Sequence, residues 1–285
     1  MTRIIEPNTT GNFIDRLYDG FPARTHRLEQ SMILDQQVKY VTVRFDEAEH
    51  ETVELMMMTD LQYGHRAFKA DRFNQYRDWI LSKPNRFVFL GGDIIDAATK
   101  LSVGDPHDNS CAPDRQVEGV LTLLKPLAGR ILGYVGGNHE RRTQTTYGDS
   151  GRVIATWLKL PYSAGFQFFD IHFGKHRPFK VTMHHGTGSA QTKGAKAQML
   201  HRLMQKGDSQ VYLCGHLHDV VVLYDWRQHR APDKTIQLQK IAGVMSSSFL
   251  DYWNTYAEVA GLAPSDTLMG RIVLDPAGGW ELTLK

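Results

Sequence analysis

The sequence has little cysteine, little net charge and no long apolar run, and each shortage excludes a class of protein. Two cysteines among 285 residues cannot build a disulfide scaffold, so a reducing compartment is favoured. No stretch of about 18 apolar residues occurs, and residues 1–20 lack the apolar segment of a signal peptide. We therefore expect a cytoplasmic protein that does not enter a membrane.

The charged residues nearly balance, with 33 Lys and Arg against 31 Asp and Glu and a formal net charge of +2. This charge is too small to indicate nucleic-acid binding and too small to exclude a local basic groove. Hydrophobic residues make up 41% of the chain and charged residues 22%, a composition that excludes wholesale disorder. Histidine is the informative excess, because several of the 13 histidines occur in clusters.

The order of the predicted elements favours an α/β fold. Residues 1–37 are interpreted as an N-terminal extension and residues 38–285 as one large domain. Apolar runs predict strands at 38–45 and 52–60, which would form a hairpin or lie as adjacent strands. Helical spacing of apolar residues predicts helices at 67–82, about 114–127, 149–159 and 190–206. Alternating strands and helices, followed by a hairpin-rich second half, favour an α/β sandwich over a helical bundle or an all-β barrel.

Five short polar motifs each follow a predicted buried strand. They are Asp60-Leu61-Gln62, Gly91-Gly92-Asp93-Ile94-Ile95-Asp96, Gly136-Gly137-Asn138-His139-Glu140, His184-His185-Gly186 and Gly215-His216-Leu217-His218. In α/β sheets, ligands bind at the carboxyl ends of the strands, where the turns leave a crevice. Each motif is a weak signal alone, but their joint appearance predicts a single site.

Two aspartates in one crevice require positive charge nearby. Asp60 and Asp93 would repel each other and raise each other's pKa unless a cation offsets their charge. The motifs also supply neutral donors, namely the imidazoles of His185, His216 and His218 and the amides of Gln62 and Asn138. This set suits two divalent metal ions, with Asp93 as the bridge, since one carboxylate can give one oxygen to each ion. Two ions roughly 3.5–4 Å apart can clamp the attacking and leaving oxygens of an in-line displacement.

The expected charge of this centre indicates its substrate. Two divalent ions bring four positive charges, the two aspartates remove two, and a bridging hydroxide removes one more. The centre stays positive and would attract an anionic phosphoryl group, which a site with mainly carboxylate ligands would not do.

These motifs resemble those of the calcineurin-like metallophosphoesterase superfamily. The family pattern is DxH, GDxxD, GNH(E/D), a His before Gly, and GHxH, in that order. The resemblance extends from about Asp60 to His218, and GNHE and GHLH are its most specific pieces. The size of the chain and the style of the motifs are similar to phage- or prophage-type stand-alone members.

The resemblance implies a fold and a role for each site residue. The fold would be a β-sandwich of two mixed sheets flanked by helices, a four-layer α/β/β/α arrangement with 38–285 as the catalytic domain. One metal would be held by Asp60, Gln62, Asp93 and His218, and the other by Asp93, Asn138, His185 and His216. His139 would protonate the leaving oxygen as the general acid, and Asp96 would orient His139.

The sequence departs from the family pattern at two places. The first motif ends in Gln62 where the family usually has His, and an amide is a weaker, harder donor, which favours Mn²⁺. The alternative metals are Mg²⁺, Zn²⁺, Fe and Ni²⁺, and either His65 or water could replace Gln62 as the ligand. Ala97 follows GDxxD where the protein Ser/Thr phosphatase branch has a phosphate-binding Arg. Arg141 and Arg142 are instead the candidate phosphate contacts.

The main functional hypothesis is a dinuclear metal-dependent phosphoester hydrolase that prefers diesters, including nucleic acid or nucleotides. A hydroxide bridging the metals would attack phosphorus. The alternatives are a phosphomonoesterase of the same fold and a binding or scaffold protein that has lost activity, which the departure at Gln62 invites. A mononuclear zinc hydrolase is disfavoured because it leaves Asn138 and one aspartate without a role. The N-terminal extension could pair with a second chain.

Overall fold

The computed structural model describes residues 29–31, 38–98, 106–144, 148–230, 234–253 and 255–285. The strands are β1 Glu29–Ser31, β2 Tyr40–Phe45, β3 Val53–Met58, β4 Arg86–Leu90, β5 Ile131–Val135, β6 Tyr162–Ser163, β7 Gln167–Phe173, β8 Phe179–Met183, β9 Val211–Cys214, β10 Val221–Arg230, β11 Ile236–Met245, β12 Gly270–Leu274 and β13 Trp280–Leu284. The α-helices are α1 Ala70–Leu81, α2 Pro113–Leu124, α3 Asn138–Thr143, α4 Ser150–Leu158, α5 Lys193–Met204 and α6 Tyr256–Val259.

The strands form two mixed sheets that stack face to face. A seven-stranded sheet has the order β1-β2-β7-β8-β9-β11-β10, and a six-stranded sheet has the order β13-β12-β3-β4-β5-β6. In the six-stranded sheet β3, β4, β5 and β6 are parallel, while β12 and β13 are antiparallel to their neighbours. Apolar side chains of both inner faces, such as Phe89 and Phe169, whose ring centroids are 4.7 Å apart, form the core between the sheets.

Helices cover the outer face of each sheet. α1, α2 and α4 pack their apolar sides on the six-stranded sheet, and α5 packs Leu200 and Met204 on the seven-stranded sheet. Because β3, β4 and β5 are covered on both faces, every residue in them is buried. The predicted four-layer α/β/β/α sandwich is confirmed, and the four predicted helices correspond to α1, α2, α4 and α5.

The predicted pairing of 38–45 with 52–60 was wrong. β2 lies between β1 and β7 in one sheet, whereas β3 lies between β12 and β4 in the other. The turn between them crosses the sandwich, so that Phe45 of β2 packs on Phe87 of β4 with ring centroids 4.7 Å apart. Both runs are apolar because each faces the shared core, a pattern that a hairpin on one apolar face would also give.

Most of the predicted extension, residues 1–37, lies outside the described residues. Its described part is β1, which pairs antiparallel with β2 at the edge of the seven-stranded sheet. The boundary at residue 37, the catalytic domain 38–285 and the pairing of the extension with a second chain stay predictions. Among the described residues, none of the helices has the length and apolar character needed to cross a bilayer.

A buried ion cluster links the adjacent strands β12, β3 and β4. The Glu54 carboxylate accepts from the Arg86 guanidinium at 3.2 Å and from Arg271 at 2.7 Å. The Arg86 guanidinium also lies over the Trp79 ring, 3.9 Å from its centroid, which ties α1 to the sheet. Removing one partner of a buried pair leaves the other charge without compensation, which costs more than the pair contributes.

We therefore predict that Glu54→Ala lowers the free energy of unfolding by about 3–5 kcal/mol, as measured by urea denaturation. The matched control is Glu118→Ala, since Glu118 forms a similar pair with Arg115 at 2.7 Å but on the exposed surface of α2. That control should leave stability essentially unchanged. Equal stability of the two variants would contradict the assignment of Glu54 as a structural charge.

Candidate metal centre

The five motifs follow β3, β4, β5, β8 and β9 and meet at one edge of the sandwich. Backbone hydrogen bonds connect the turns directly. The amide of Asp60 donates to the carbonyl of Gly92 at 2.9 Å, and the amide of Gln62 donates to the carbonyl of Asp93 at 2.9 Å. The turn after β9 is joined to the turn after β8 by a 2.8 Å bond from Gly215 to His185. Residues far apart in the sequence are thus fixed relative to one another.

One half of the site brings three electron-pair donors to a point. The Nδ1 of His185 donates to the carbonyl of Gly91 at 2.8 Å, so that its Nε2 carries the lone pair. This Nε2 lies 3.1 Å from Oδ2 of Asp93 and 3.1 Å from Oδ1 of Asn138. The Nε2 of His216 donates to the carbonyl of Gly188 at 2.8 Å, which leaves its Nδ1 as a ligand atom. Ligand atoms of Asp93, His185 and His216 all lie within 4.8 Å of one another.

The other half of the site contains Asp60, Gln62 and His218. Oδ2 of Asp60 accepts from Oγ1 of Thr59 at 2.6 Å and from the amide of His216 at 2.9 Å. Oδ1 of Asp60 lies 3.2 Å from Nε2 of His218. The Gln62 amide lies 3.1 Å from Nε2 of His218, and rotating its end by half a turn would present the oxygen there instead.

The donor set fits divalent cations. Oδ1 of Asp60 is fully buried and accepts no well-formed hydrogen bond within the described part of the chain; Nε2 of His218 lies 3.2 Å from it. A buried carboxylate oxygen without such a bond is costly unless it ligates a cation. Carboxylate oxygens, amides and singly protonated imidazoles together are donors that suit ions such as Mn²⁺.

The carboxyls and imidazoles of the site shift one another's pKa values. Burial alone would raise the pKa of the Asp60 and Asp93 carboxyls, but the nearby imidazoles lower both below the ordinary value. Burial would lower the pKa of His185, yet the Asp93 and Asp60 carboxylates raise it to about 10. The balancing charge can come from protons on the imidazoles or from metal ions, which displace those protons.

The candidate ligands share an uncommon backbone conformation. Asp60, Gln62, Asp93, His216 and His218 all have positive φ, between 47° and 73°. Side chains other than glycine rarely adopt this left-handed region, and such strain persists only where the surroundings enforce it. Five of the eight non-glycine residues with positive φ in the described ranges are candidate ligands, so the strain concentrates at the site.

Glycine permits the close approach of two of the turns. A Cβ on Gly137 would lie 2.0 Å from Oδ1 of Asp93, which leaves no room for any side chain. Gly92 has φ of +93°, and its Cβ would lie 2.7 Å from Nδ1 of His185. The glycines of GGD and GGNHE therefore allow the aspartate, the imidazole and the helix α3 to crowd around one point.

Glu140, the last residue of the GGNHE motif, holds the turns of the site together, a role that the motif alone did not indicate. Its buried carboxylate accepts from the amides of Asp93 at 3.0 Å, Ile94 at 2.6 Å and Gly137 at 2.8 Å. The hydroxyl of Tyr134 donates to it at 3.0 Å. Glu140 is the third residue of α3, and a Glu at this position is typical of a capping box. That spacing is the sequence signal that could have identified Glu140. Burial, and then the charge of Asp93, raise the pKa of Glu140.

His139 lies at the mouth of the centre, held from behind by Asp96. Its Nδ1 lies 3.3 Å from Oδ1 of Asp96 and also contacts the Asp96 carbonyl, while its Nε2 lies 3.6 Å from Oδ2 of Asp93. A guanidinium nitrogen of Arg142 lies 3.2 Å from the same Nδ1. Arg141 is exposed on α3. The structure thus brings Arg142 to His139, on the side of the ring away from Asp93.

Two neighbouring histidines point away from the centre. His65, the alternative to Gln62, accepts at Nδ1 from the amide of Ala67 at 3.0 Å. His184 accepts at Nδ1 from the amide of Gly186 at 3.0 Å, and its ring packs on Phe166. Burial, and then the neighbouring charge of His185, lower the pKa of His184 to about 4. These contacts favour Gln62 and His185 as the ligands.

Comparisons with known proteins give no match to any family's sequence profile and none to a curated protein. Solved structures give distant matches. The phosphoesterase YfcE from E. coli is 12% identical over 78% of this chain and 91% of that chain, with a TM-score of 0.40. A metallophosphoesterase from Sphaerobacter thermophilus is 12% identical over 81% and 86%, with a TM-score of 0.41. The nuclease MPE from Pseudomonas putida is 13% identical over 80% and 87%, with a TM-score of 0.33.

Likenesses this distant carry no argument about this chain. The fold that the motifs implied is confirmed by the chain's own structure, which has the two mixed sheets and flanking helices. The motifs stand at the strand ends in the order that the resemblance implied, and ligand atoms of Asp93, His185 and His216 lie close enough together to hold a metal ion.

Because Glu140 fixes the turn that carries Asp93, we predict that Glu140→Gln weakens metal binding. The glutamine side chain has one acceptor oxygen instead of two. Its NH₂ group would face backbone N–H donors that the second oxygen of Glu140 accepts, so the turn would shift. We expect the dissociation constant for Mn²⁺, measured by isothermal titration calorimetry, to rise about 10- to 100-fold. Glu118→Gln, on the surface of α2, is the control. Unchanged affinity in a folded Glu140→Gln protein would contradict this role.

Proposed function

We propose that the protein is a metal-dependent phosphoester hydrolase that holds two divalent ions and prefers diesters. The proposal is carried by one observation, the meeting of two buried carboxylates with neutral donors. The residues are Asp60, Gln62, Asp93, Asn138, His185, His216 and His218. Asp60, Gln62, Asp93 and His218 would hold one ion, and Asp93, Asn138, His185 and His216 the other. Mn²⁺ is the proposed metal because an amide replaces an imidazole at Gln62.

Bound divalent ions would supply Lewis-acid charge that attracts and polarises a phosphoryl group. The chain's own contribution begins with orientation, because the turns that carry the ligands are linked by backbone hydrogen bonds. The floor of the crevice is formed by buried side chains such as Asp60, Asp93 and His185, and their low-dielectric surroundings strengthen charge interactions at phosphorus.

His139 is proposed as the general acid. Its Nδ1 is engaged by Asp96, which leaves Nε2 directed to the crevice, within 3.4 Å of the Gln62 amide. Burial would lower the pKa of this imidazole, but the charge of Asp93 and the Asp96 hydrogen bond raise it above the ordinary value. A proton at Nε2 is therefore available to the leaving oxygen as the P–O bond breaks.

The preference for diesters rests on the small number of cationic side chains at the crevice. Ala97 occupies the position after GDxxD, is buried, and its amide donates to Oε1 of Gln116 at 2.8 Å, so no cation emerges there. A monoester carries more negative charge than a diester and depends more on such cations. Arg141, exposed on α3, is proposed to contact the phosphate or its substituents. Arg142 is proposed to do so only after its guanidinium leaves Nδ1 of His139, where it lies on the side of the ring away from Asp93.

The first test compares two chromogenic substrates with Mn²⁺ present. We predict a higher kcat/KM for bis-p-nitrophenyl phosphate than for p-nitrophenyl phosphate, with both activities lost in excess EDTA and restored by Mn²⁺. Faster hydrolysis of the monoester would assign a phosphomonoesterase. Two bound ions by elemental analysis with no turnover of either ester would instead favour a binding protein.

The second test separates leaving groups. His139→Ala should lower kcat about 10²- to 10⁴-fold for a dinucleotide, whose leaving alkoxide needs a proton. The loss should be much smaller for bis-p-nitrophenyl phosphate, because p-nitrophenolate is stable without one. His184→Ala is the matched control, since that imidazole packs on Phe166. An equal loss with both substrates would reject His139 as the general acid, even if the ions remain bound.

A further inference from the structure

The strands β10 and β11 form a two-stranded ribbon that extends past the six-stranded sheet. Their antiparallel pairing runs from Val221↔Met245 to Arg230↔Ile236. Near its start, the inner face of the ribbon belongs to the core, through Val222, Ala242 and Val244. Further along, Tyr224 reaches the edge strand β13, where its hydroxyl donates to the carbonyl of Leu282 at 3.0 Å. One step further, the Nζ of Lys240 lies 5.1 Å from the ring centroid of Trp280, the first residue of β13.

The part beyond the edge carries large apolar side chains in solvent. Residues directly paired across an antiparallel ribbon lie on one face, so the even-numbered residues of both strands share this inner face. The exposed fraction is 52% for Tyr224, 62% for Trp226, 69% for Ile236 and 68% for Leu238. We call the exposed even-numbered residues of the two strands the ribbon face: Tyr224, Trp226, Gln228, Arg230, Ile236, Leu238 and Lys240.

A contiguous exposed apolar surface is typical of an interaction site. Four large side chains, each more than half exposed, offer several hundred Å² of contact (roughly 100–150 Å² each). The opposite face of the ribbon is already used, since Ile241 and Met245 pack with α5 residues and Arg227 donates to the Met204 carbonyl at 2.9 Å. The ribbon face is therefore the side of the ribbon available to a ligand.

The charge of the ribbon face selects the occupant. Arg230 and Lys240 are cationic, and none of the even-numbered residues described in β10 and β11 is acidic. A second copy docked face to face would oppose these cations to one another, which disfavours a dimer through this surface. A polyanion with planar apolar groups is complementary to cations that alternate with aromatic rings, as at Lys240, whose Nζ lies 4.6 Å from the Tyr224 ring centroid.

The ribbon is continuous with the candidate metal centre. β10 begins three residues after His218, and Oγ of Ser247, just past β11, donates to the carbonyl of His218 at 3.3 Å. Lys196 of α5 and the intervening Asp219 form a buried ion pair at 2.8 Å, which anchors the start of the ribbon. Five residues of strand separate Val221 from Trp226, a distance of about 17 Å. A chain of a few nucleotides could therefore contact both places.

We propose that the ribbon face binds single-stranded nucleic acid, DNA or RNA, that enters the metal centre as a substrate. This inference rests on the proposed phosphodiesterase function and names its substrate class. Trp226 stacks on an unpaired base, Ile236 and Leu238 pack on neighbouring sugars and bases, and Arg230 and Lys240 neutralise phosphates. Base pairs inside a duplex are not available for such stacking, so the single strand is the form recognised.

The test measures binding and cleavage separately on the full chain. Binding of fluorescent 12-nucleotide DNA and RNA strands is followed by anisotropy in EDTA, so that no cleavage occurs. Trp226→Ala should raise the dissociation constant at least fivefold, and Trp226→Phe should recover most of the affinity. Lys240→Ala should reduce the salt dependence, the slope of log K on log salt, by about 0.7. The matched control is Trp157→Ala, because Trp157 is 55% exposed on α4, away from the ribbon.

Cleavage is expressed as kcat/KM for the 12-nucleotide strand divided by kcat/KM for bis-p-nitrophenyl phosphate. This ratio should fall in Trp226→Ala and stay constant in Trp157→Ala. Equal binding by wild type and Trp226→Ala overturns the proposal. So does tighter binding of a blunt-ended duplex of the same 12-nucleotide strand than of the single strand. A wild-type dimer by light scattering that Trp226→Ala dissociates also overturns it and assigns the ribbon face to a second copy. Failure of bis-p-nitrophenyl phosphate hydrolysis rejects the proposed function alone, because the anisotropy result does not depend on turnover.

Discussion

The burial of two carboxylates in one crevice is the constraint on which the rest of this structure depends. Asp60 and Asp93 are removed from solvent, and one oxygen of Asp60 accepts no well-formed hydrogen bond among the described residues. Folding such a pair is unfavourable unless positive charge arrives with it. Imidazoles surround the carboxylates for this reason, and each of His185 and His216 uses one nitrogen on a backbone carbonyl so that the other faces the aspartates. These backbone contacts select which nitrogen becomes the ligand atom once metal ions displace the second proton.

A scaffold that holds this arrangement must tolerate strain. Five candidate ligands have left-handed backbone conformations, each costing on the order of 1–3 kcal/mol. The compensation comes from strands β3, β4 and β5, which are buried on both faces, and from Glu140, whose carboxylate joins the turn after β4 to the start of α3. Rigid strands and a buried anchor thus permit a site that local preferences alone would not form. Without the Glu140 carboxylate, the backbone at Asp93 would relax from its left-handed conformation.

The sequence was sufficient for the features that local patterns encode and insufficient for those that depend on packing between distant segments. The strands before each motif and the four longer helices follow from apolar periodicity, and the meeting of the motifs follows from their position at strand ends. The separation of β2 and β3 into different sheets could not be read from two apolar runs, because either arrangement buries the same residues. Nor does any local preference indicate positive φ at Gln62 or His218. The individual roles of the site residues stay predictions.

The exposure of the ribbon follows from strand lengths. β10 and β11 have ten residues each, about 33 Å, whereas β12 and β13 on the facing sheet have five, about 17 Å. A ten-residue ribbon cannot be covered by five-residue neighbours, so roughly half of its inner face must extend beyond them. The alternation in Leu223-Tyr224-Asp225-Trp226-Arg227 is the pattern of a strand with one buried face, yet that face meets solvent. Exposed aromatic residues on an edge strand favour aggregation unless a ligand covers them. A ligand whose charge opposes that of Lys240 and Arg230 best explains their presence there.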